Sequence, residues 1–203
     1  MTYLYEHPAL VGNLTLQHLS LTFVSLGIAI VIALPLGVLA TRQERAGTAI
    51  LGVLGTIYTI PSLALLALLV PFFGLGYTTA VIALVAYAQM ILVRNVVAGL
   101  RSVDPAQREA ARGLGMTAAQ AFFRVELPLA LPVMLGGVRL ALVSLIAIAS
   151  IAAWINAGGL GTLLFAGIQQ DNPEKIVAGS IAAGTLAICA DVVLRAIEGA
   201  ARR

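Results

Sequence analysis

Long apolar runs separated by short polar segments dominate this chain. Five runs are long enough for a helix to cross a hydrocarbon core, which needs about 20 apolar residues. Residues 46–93 contain no Asp, Glu, Lys, Arg or His. That stretch is too long for one crossing, so we expect it to turn back at Gly74 and Gly76. The pattern predicts an all-α membrane protein, with residues 1–203 forming a single transmembrane domain and spans at residues 19–40, 50–73, 78–97, 131–155 and 176–194.

Composition supports a membrane protein. The chain is 60% hydrophobic and only 10% charged, whereas a soluble domain carries about 25% charged residues. Its basic residues border the apolar runs and form no dense patch, which argues against a nucleic-acid partner. The single cysteine, Cys189, excludes a disulfide framework and a cysteine-based metal site, and we expect it to be a buried thiol. We predict no metal site.

The distribution of Lys and Arg predicts the orientation. With the N-terminus outside and the C-terminus inside, eleven of the twelve basic residues fall on the inner side, and only Lys175 lies outside. Asp191 and Arg195 are four residues apart, so they can pair on one helix face. Arg139 lies about two turns into the fourth span, and we expect its side chain to extend back to the inner interface.

The polar segment of about residues 99–128 lies inside in this topology, and it reads as two short helices. Asp104 suits the N-cap of the first helix, and Pro105 suits its first position. Gly115 suits the left-handed position that ends it. Thr117 and Gln120 then have the spacing of a capping box.

The capping box opens a second helix over about residues 118–124, which we expect Leu127 and Pro128 to end. Phe122 and Phe123 give this helix an apolar surface within a polar loop. Such a surface can dock into its own helix bundle or into a groove on a partner, or it can lie on the membrane. The residues alone leave these alternatives open.

The spacing of this loop resembles the EAA loop of ABC-importer permeases, whose pattern is E-A-A-x3-G-x9-I-x-L-P. Here Glu109-Ala110-Ala111, Gly115 and Val125-x-Leu127-Pro128 match it, with Val in place of Ile as the one departure. In that family the loop is a coupling helix that sits in a cleft of the ATPase subunit. The resemblance implies coupling roles for Glu109, Ala110, Ala111, Gly115, Ala118, Phe122, Phe123, Leu127 and Pro128.

The resemblance also implies the fold, the location and the partners. It implies a type I importer bundle in the inner, or cytoplasmic, membrane of a bacterium. The expected partners are a second permease copy or a paralogue, an ATPase subunit and an extracytoplasmic substrate-binding protein. The only lysine, Lys175, has no P-loop around it, so we expect a non-catalytic chain without a cofactor of its own, with ATP and Mg²⁺ bound by the ATPase.

Residues 59–66, 73–76, 103–105 and 157–161 resemble the osmoprotectant permeases, which import glycine betaine, carnitine or choline. A permease for an amino acid such as methionine is the alternative within the importers. A quaternary ammonium group is held by aromatic faces. Tyr58, Tyr87 and Trp154 are therefore pathway candidates, although aromatic residues at span ends also serve as interface anchors.

Backbone features add further pathway candidates. Pro61 can interrupt the second span and free carbonyl groups beside a cavity. Gly158, Gly159 and Gly161 can form a gate-lining turn or a plain connection after the fourth span.

Two other classes of protein are less consistent with the sequence. A secondary transporter or channel would need an ionisable group at the bilayer midplane, and the charges here cluster towards span ends. An intramembrane enzyme would need a catalytic constellation, and His7 and His18 have no acidic pair beside them in the sequence. An importer permease is the function that the sequence favours.

Overall fold

The chain is helical throughout, as predicted. The computed structural model describes residues 2–201, so Arg202 and Arg203, which contribute to the predicted charge asymmetry, lie outside the described residues. The helices are α1 Thr2–Glu6, α2 Pro8–Arg42, α3 Glu44–Thr59, α4 Ser62–Phe73, α5 Tyr77–Arg101, α6 Pro105–Gly113, α7 Ala118–Ala121, α8 Leu127–Ala152, α9 Gly161–Gln169 and α10 Pro173–Ala201. A π-helical segment at Phe122–Glu126 precedes α8, and a 3-10 turn at Ala153–Ile155 follows it.

Four continuous helices of the described part are long and apolar enough to cross a membrane: α2, α5, the run Ala118–Ile155, and α10. The first of these helices begins at Pro8 and contains the predicted span at residues 19–40; residues 8–18 have no charged side chain and no proline after the first position to interrupt a helix. The predicted turn after the second run is confirmed, since Gly74 and Gly76 both have positive φ between α4 and α5.

The predicted second span is not one helix. Helices α3 and α4 meet at Ile60 and Pro61 at an angle of 98°, so residues 44–73 form a broken span or a re-entrant loop. Ile60 and Pro61 both have extended backbone, with ψ of 127° and 136°. Pro61 has no N–H to donate, and it disfavours helical ψ at the residue before it. The predicted interruption at Pro61 is therefore confirmed.

Small residues let the three central helices approach closely. Helices α2, α5 and α8 bury Ala29, Ala83, Ala88, Ala141 and Ala149 almost completely. Gly37 lies so close to α5 that a Cβ atom there would stand 2.4 Å from the side chain of Val96. Helix association in a bilayer depends on such van der Waals contact, because lipid tails are as apolar as leucine.

Contacts of α10 bear on three sequence predictions. The guanidinium of Arg139 lies 3.0 Å from Asp191 and 3.3 Å from Glu198, because α10 packs beside α8, so Arg139 is paired, and its reach towards the inner interface stays a prediction. The predicted pair of Asp191 with Arg195 is present at 2.7 Å. Cys189 is exposed and not buried, since it lies on the outer face of α10.

Leu127 and Pro128 do not end the helix before them. The chain is helical without a break over Ala118–Ile155, 38 residues. The π-helical turn explains how Pro128 is accommodated: the N–H of Leu127 bonds to the carbonyl of Phe122, five residues back, which widens the turn just before the proline. A proline at the second position of α8 then costs little, because its missing N–H falls at this already irregular turn.

Candidate functional site

The segment that resembles a coupling loop has firm local boundaries. The carboxylate of Asp104 accepts a hydrogen bond from the N–H of Ala106 at 2.9 Å, which confirms the predicted N-cap of α6. Gly115 has φ of +75°, and its N–H and that of Met116 bond back to the carbonyls of Arg112 and Ala111. These two bonds satisfy the last carbonyls of α6 and confirm the predicted left-handed end.

The start of α7 is equally well defined. The hydroxyl of Thr117 accepts from the N–H of Gln120, and the side-chain oxygen of Gln120 accepts from the N–H of Thr117. This is the predicted capping box, with both bonds formed. The left-handed Gly115 at the end of α6 and the capping box at the start of α7 fix the turn between these two helices. The segment therefore presents a rigid shape.

The two phenylalanines of this segment have different surroundings. Phe122 packs against the chain's own cluster around Val96 and Leu100, with the guanidinium of Arg42 5.8 Å from its ring centre. Phe123 is 64% exposed, and Leu114, in the preceding turn, is 77% exposed. Of the alternatives that the sequence left open, docking into the chain's own bundle applies to Phe122. Phe123 points away from that bundle.

The remaining predicted coupling residues are also divided between packed positions and exposed ones. Ala111 is buried, and Leu127 packs in the same cluster as Phe122. The others, exposed on the outer surface of the segment, are Glu109, Ala110, Gly115, Ala118 and Pro128.

Two contacts that the sequence did not reveal hold this segment to the bundle. The guanidinium of Arg108 donates to the carbonyl of Leu100, at the end of α5. Arg42, the last residue of α2, lies 3.6 Å from the carboxylate of Glu126. Neither pair has the three- or four-residue spacing of neighbours on one helix face, so no local spacing rule predicts it.

The helix break at Pro61 is held by an aromatic residue. The Tyr87 hydroxyl donates a hydrogen bond to the carbonyl of Ile60, the residue immediately before the proline. Tyr58 lies edge-on to Tyr87, with ring centres 5.9 Å apart and an angle of 71° between the planes. Two of the three predicted aromatic candidates, Tyr58 and Tyr87, are therefore brought together with Pro61.

Trp154 lies apart from the other two. It is in the 3-10 turn that follows α8, and it is 54% exposed. Among the described residues, no ring contact joins it to Tyr58 or Tyr87. Trp154 is therefore not part of the Tyr58–Tyr87 pair.

A cavity of about 270 Å³ opens beside the two tyrosines. Its lining combines the ring of Tyr58 with the charged side chain of Arg94 and the amide of Asn95, together with Met90 and Ile91. Sequence reasoning used Arg94 only as one of the positive charges that set the orientation. Its i+7 spacing from Tyr87 was the signal that could have placed both on one face of α5.

The predicted glycine turn packs against the start of α2. Gly158 and Gly159 have φ of +81° and +82°. The N–H of Gly159 donates to the side-chain oxygen of Gln17 at 3.1 Å. The positive φ values favour glycine at both positions, and a Cβ atom at Gly158 would stand 2.4 Å from the same oxygen, which would have to move.

His18 is the buried centre of this contact. Its Nδ1 accepts from the N–H of Leu160 at 3.3 Å, so its Nε2 carries the proton and donates to the carbonyl of Ile146 at 3.0 Å. Gly161 begins α9 against α8, where a Cβ atom would stand 1.9 Å from the Ser150 carbonyl. The turn is a close-packed joint between α2, α8 and α9, and sequence reasoning missed both Gln17 and His18.

The chain is similar to known transport proteins over most of its length. The chain matches the family model described as the binding-protein-dependent transport system inner membrane component over residues 33–203. It is 41% identical over 201 residues to the osmoprotectant import permease protein OsmW of Salmonella typhimurium, covering 97% of this chain and 94% of that one. It is 38% identical to the choline transport system permease protein OpuBB of Bacillus subtilis, covering 91% and 85%.

The fold has a solved counterpart. A structure described as an inward-facing conformation of the MetNI methionine ABC transporter superposes with a TM-score of 0.86 at 24% identity, covering 97% of this chain and 99% of that one. Identity this low supports the fold alone, which is that of a type I importer permease. Together with the family match over most of its length, this places the chain in the binding-protein-dependent transport system inner membrane component family, the permeases of ABC importers.

Proposed function

We propose that this chain is the permease subunit of an ABC importer for a quaternary-amine osmoprotectant such as glycine betaine, carnitine or choline. The observation that carries the substrate class is the 41% and 38% identity, over nearly the whole chain, to permeases named for osmoprotectants and for choline. The pairing of Tyr58 with Tyr87 beside the helix break supports it, because aromatic faces hold quaternary ammonium groups.

The proposed topology has five crossings, with the broken pair α3–α4 counting as one, the N-terminus outside and the C-terminus inside. Two segments supply most of the inner positive charge: residues 94–139, and the tail after Arg195. This places α6 and α7 in the cytoplasm and the glycine turn at residues 156–161 on the outer side. Residues 1–203 then form one transmembrane domain in the inner membrane of a bacterium.

The proposed partners follow from the family. We infer an ATPase subunit that binds ATP and Mg²⁺, a second permease copy or paralogue that completes the pathway, and a substrate-binding protein outside the membrane. This chain then hydrolyses no nucleotide. The exposed apolar side chains of Leu114 and Phe123, on a rigid segment with polar surroundings, are the surface that would seat in the ATPase.

The continuous helix Ala118–Ile155 supports a direct mechanical route. At 1.5 Å per residue its 38 residues extend for about 57 Å, and it carries the exposed Phe123 at one end and the turn at residues 156–161 at the other. Closure of the ATPase dimer would move the coupling segment, and a helix that continues from this segment across the membrane would pass that displacement on. The joint at His18 would deliver it to α2.

Uptake into proteoliposomes tests the substrate class. The chain, its ATPase and its binding protein are purified as a complex, and ATP-dependent entry of labelled glycine betaine, carnitine, choline and methionine is measured. Entry of at least one quaternary amine, and none without ATP, is expected. Entry of methionine alone would favour the amino-acid alternative, and entry without nucleotide would favour a secondary transporter.

The coupling surface is tested by charge placed on its exposed residues. Phe123→Asp and Glu109→Lys should abolish uptake and reduce co-purification with the ATPase, while the permease stays in the membrane. Glu44→Lys is the matched control, because Glu44 is an exposed acid at the start of α3 outside the segment. Phe122→Asp is less informative, since Phe122 packs within its own bundle. Normal co-purification of both test variants would contradict the coupling role.

A further inference from the structure

We propose that the cavity between α3 and α5 is a contact site for a zwitterionic quaternary amine, with Tyr58 against the ammonium end and Arg94 and Asn95 against the carboxylate. This rests on the proposed function, because it takes the solute to be an osmoprotectant. It adds which residues contact the solute within the membrane, and which osmoprotectants those residues would favour.

The first reason for this proposal is the environment of the Arg94 side chain. It lies on α5 seven residues before the helix ends at Arg101, which is about 10 Å along the axis. It is exposed, and within the described residues no ion pair engages it. Arg139, also within a long apolar helix, contacts two carboxylates. A guanidinium without a carboxylate partner on a long apolar helix is unfavourable against lipid, and a cavity that admits an anion is a suitable setting for it.

The Tyr58 ring is the second reason. It lines the same cavity as Arg94 and is 45% exposed, so part of the residue remains free to contact a ligand. The ring contact with Tyr87 restricts its rotation, and Tyr87 is itself held by its bond to the Ile60 carbonyl. An aromatic ring and a positive charge that line one cavity match a solute with a cationic and an anionic end.

Asn95 and the size of the cavity complete the fit. One hydrogen of the Asn95 amide donates to the Ile91 carbonyl at 2.8 Å, which orients the group and leaves its second hydrogen for a ligand carboxylate. The cavity volume of about 270 Å³ is just below the range of about 300–1,000 Å³ typical of drug-sized ligands, as a smaller solute requires.

Two other cavities lack these properties. One of about 500 Å³ between α2, α5 and α8 is lined by eleven apolar residues, so a zwitterion there would lose its hydration without compensation. Another of about 340 Å³ contains Arg139, Arg195 and Glu198, whose charges already contact one another or Asp191, and it has no aromatic ring.

Transport by the reconstituted complex tests the carboxylate contact. In Arg94→Gln, ATP-driven uptake of glycine betaine and carnitine should fall by about tenfold, the loss expected for one charge-assisted contact, while choline, which has no carboxylate, changes less than about twofold. Arg101→Gln is the matched control, since it removes a positive charge from the same helix outside the cavity. Tyr58→Ala should reduce uptake of all three solutes, and Tyr58→Phe should retain it because the ring face remains.

Thiol labelling gives a second measurement that does not depend on turnover. In a Cys189→Ser background, Met90→Cys places a thiol in the cavity wall. A charged, water-soluble thiol reagent should label it in the assembled complex, and glycine betaine or carnitine should slow the labelling more than choline does.

The outcomes separate the two proposals. If the unmodified complex imports no quaternary amine, the proposed function fails. If it imports them but Arg94→Gln lowers choline uptake as much as zwitterion uptake, or if the zwitterions do not protect the thiol at position 90, the contact site is overturned and the proposed function stands.

Discussion

The guanidinium of Arg139 on α8 donates a hydrogen bond to the carboxylate of Asp191 on α10, with 3.0 Å between the two atoms. Glu198 lies 3.3 Å from the same guanidinium, and Arg195 lies 2.7 Å from Asp191. Two positive and two negative side chains thus form one neutral cluster between two helices, and its central pair, Arg139 and Asp191, is 52 residues apart in the sequence. Charges in a membrane helix are tolerated when they are paired in this way.

This cluster predicts strong coupling between Arg139 and Asp191. Arg139→Gln and Asp191→Asn should each lower the midpoint of thermal unfolding in detergent by several degrees, because each leaves a partner charge uncompensated. In the double variant the unfolding midpoint should fall by less than the sum of the two single decreases, and a double-mutant cycle measures this difference. Additive losses would show that the two side chains act independently. Exposed Arg45→Gln is the control.

Tyr87→Phe should weaken the helix break while keeping the ring contact with Tyr58. The change removes only the hydroxyl that satisfies the part-buried Ile60 carbonyl, and the loss of such a hydrogen bond costs about 1 kcal/mol. We expect a lower unfolding midpoint with the permease still inserted. Tyr77→Phe is the matched control, because the Tyr77 hydroxyl bonds to Ser20 at an exposed site. Equal stability of Tyr87→Phe and the parent would contradict the role of this hydrogen bond.

His18→Leu should destabilise the joint between α2 and the turn at residues 156–161. The Leu160 N–H would lose its acceptor in a buried setting, at a cost of about 1–3 kcal/mol. Gln17→Leu should cost less, since Gln17 is exposed and water can replace its oxygen at Gly159. Proteolysis rates of the two variants in detergent measure the difference. Faster proteolysis of Gln17→Leu than of His18→Leu would contradict the role given to the His18 hydrogen bond.

Gly161→Ala should be among the most damaging single-methyl additions in this chain. The new Cβ would stand 1.9 Å from the Ser150 carbonyl, a backbone atom that cannot turn away. Overpacking of this kind costs about 1–3 kcal/mol or more. Gly184→Ala is the matched control: nothing lies within 4 Å of its Cβ position, and alanine favours a helix by about 1 kcal/mol. Expression level and unfolding midpoint distinguish the two.

Local features of the fold were readable from the sequence because each depends on neighbours along the chain. The caps at Asp104 and Thr117 and the left-handed Gly115 need only a few residues to form. The break at Pro61 follows from the missing N–H of proline and its effect on the residue before it. The long apolar runs by themselves indicate a helical membrane protein.

Other features were decided only by tertiary packing. The different surroundings of Phe122 and Phe123 depend on which side of this helix packs against the bundle. The partners of His18 lie 128 and 142 residues away, and those of Arg139 lie on another helix. Such contacts depend on the rotation and depth at which whole helices pack, and these are set by the sum of many weak contacts that no single spacing encodes.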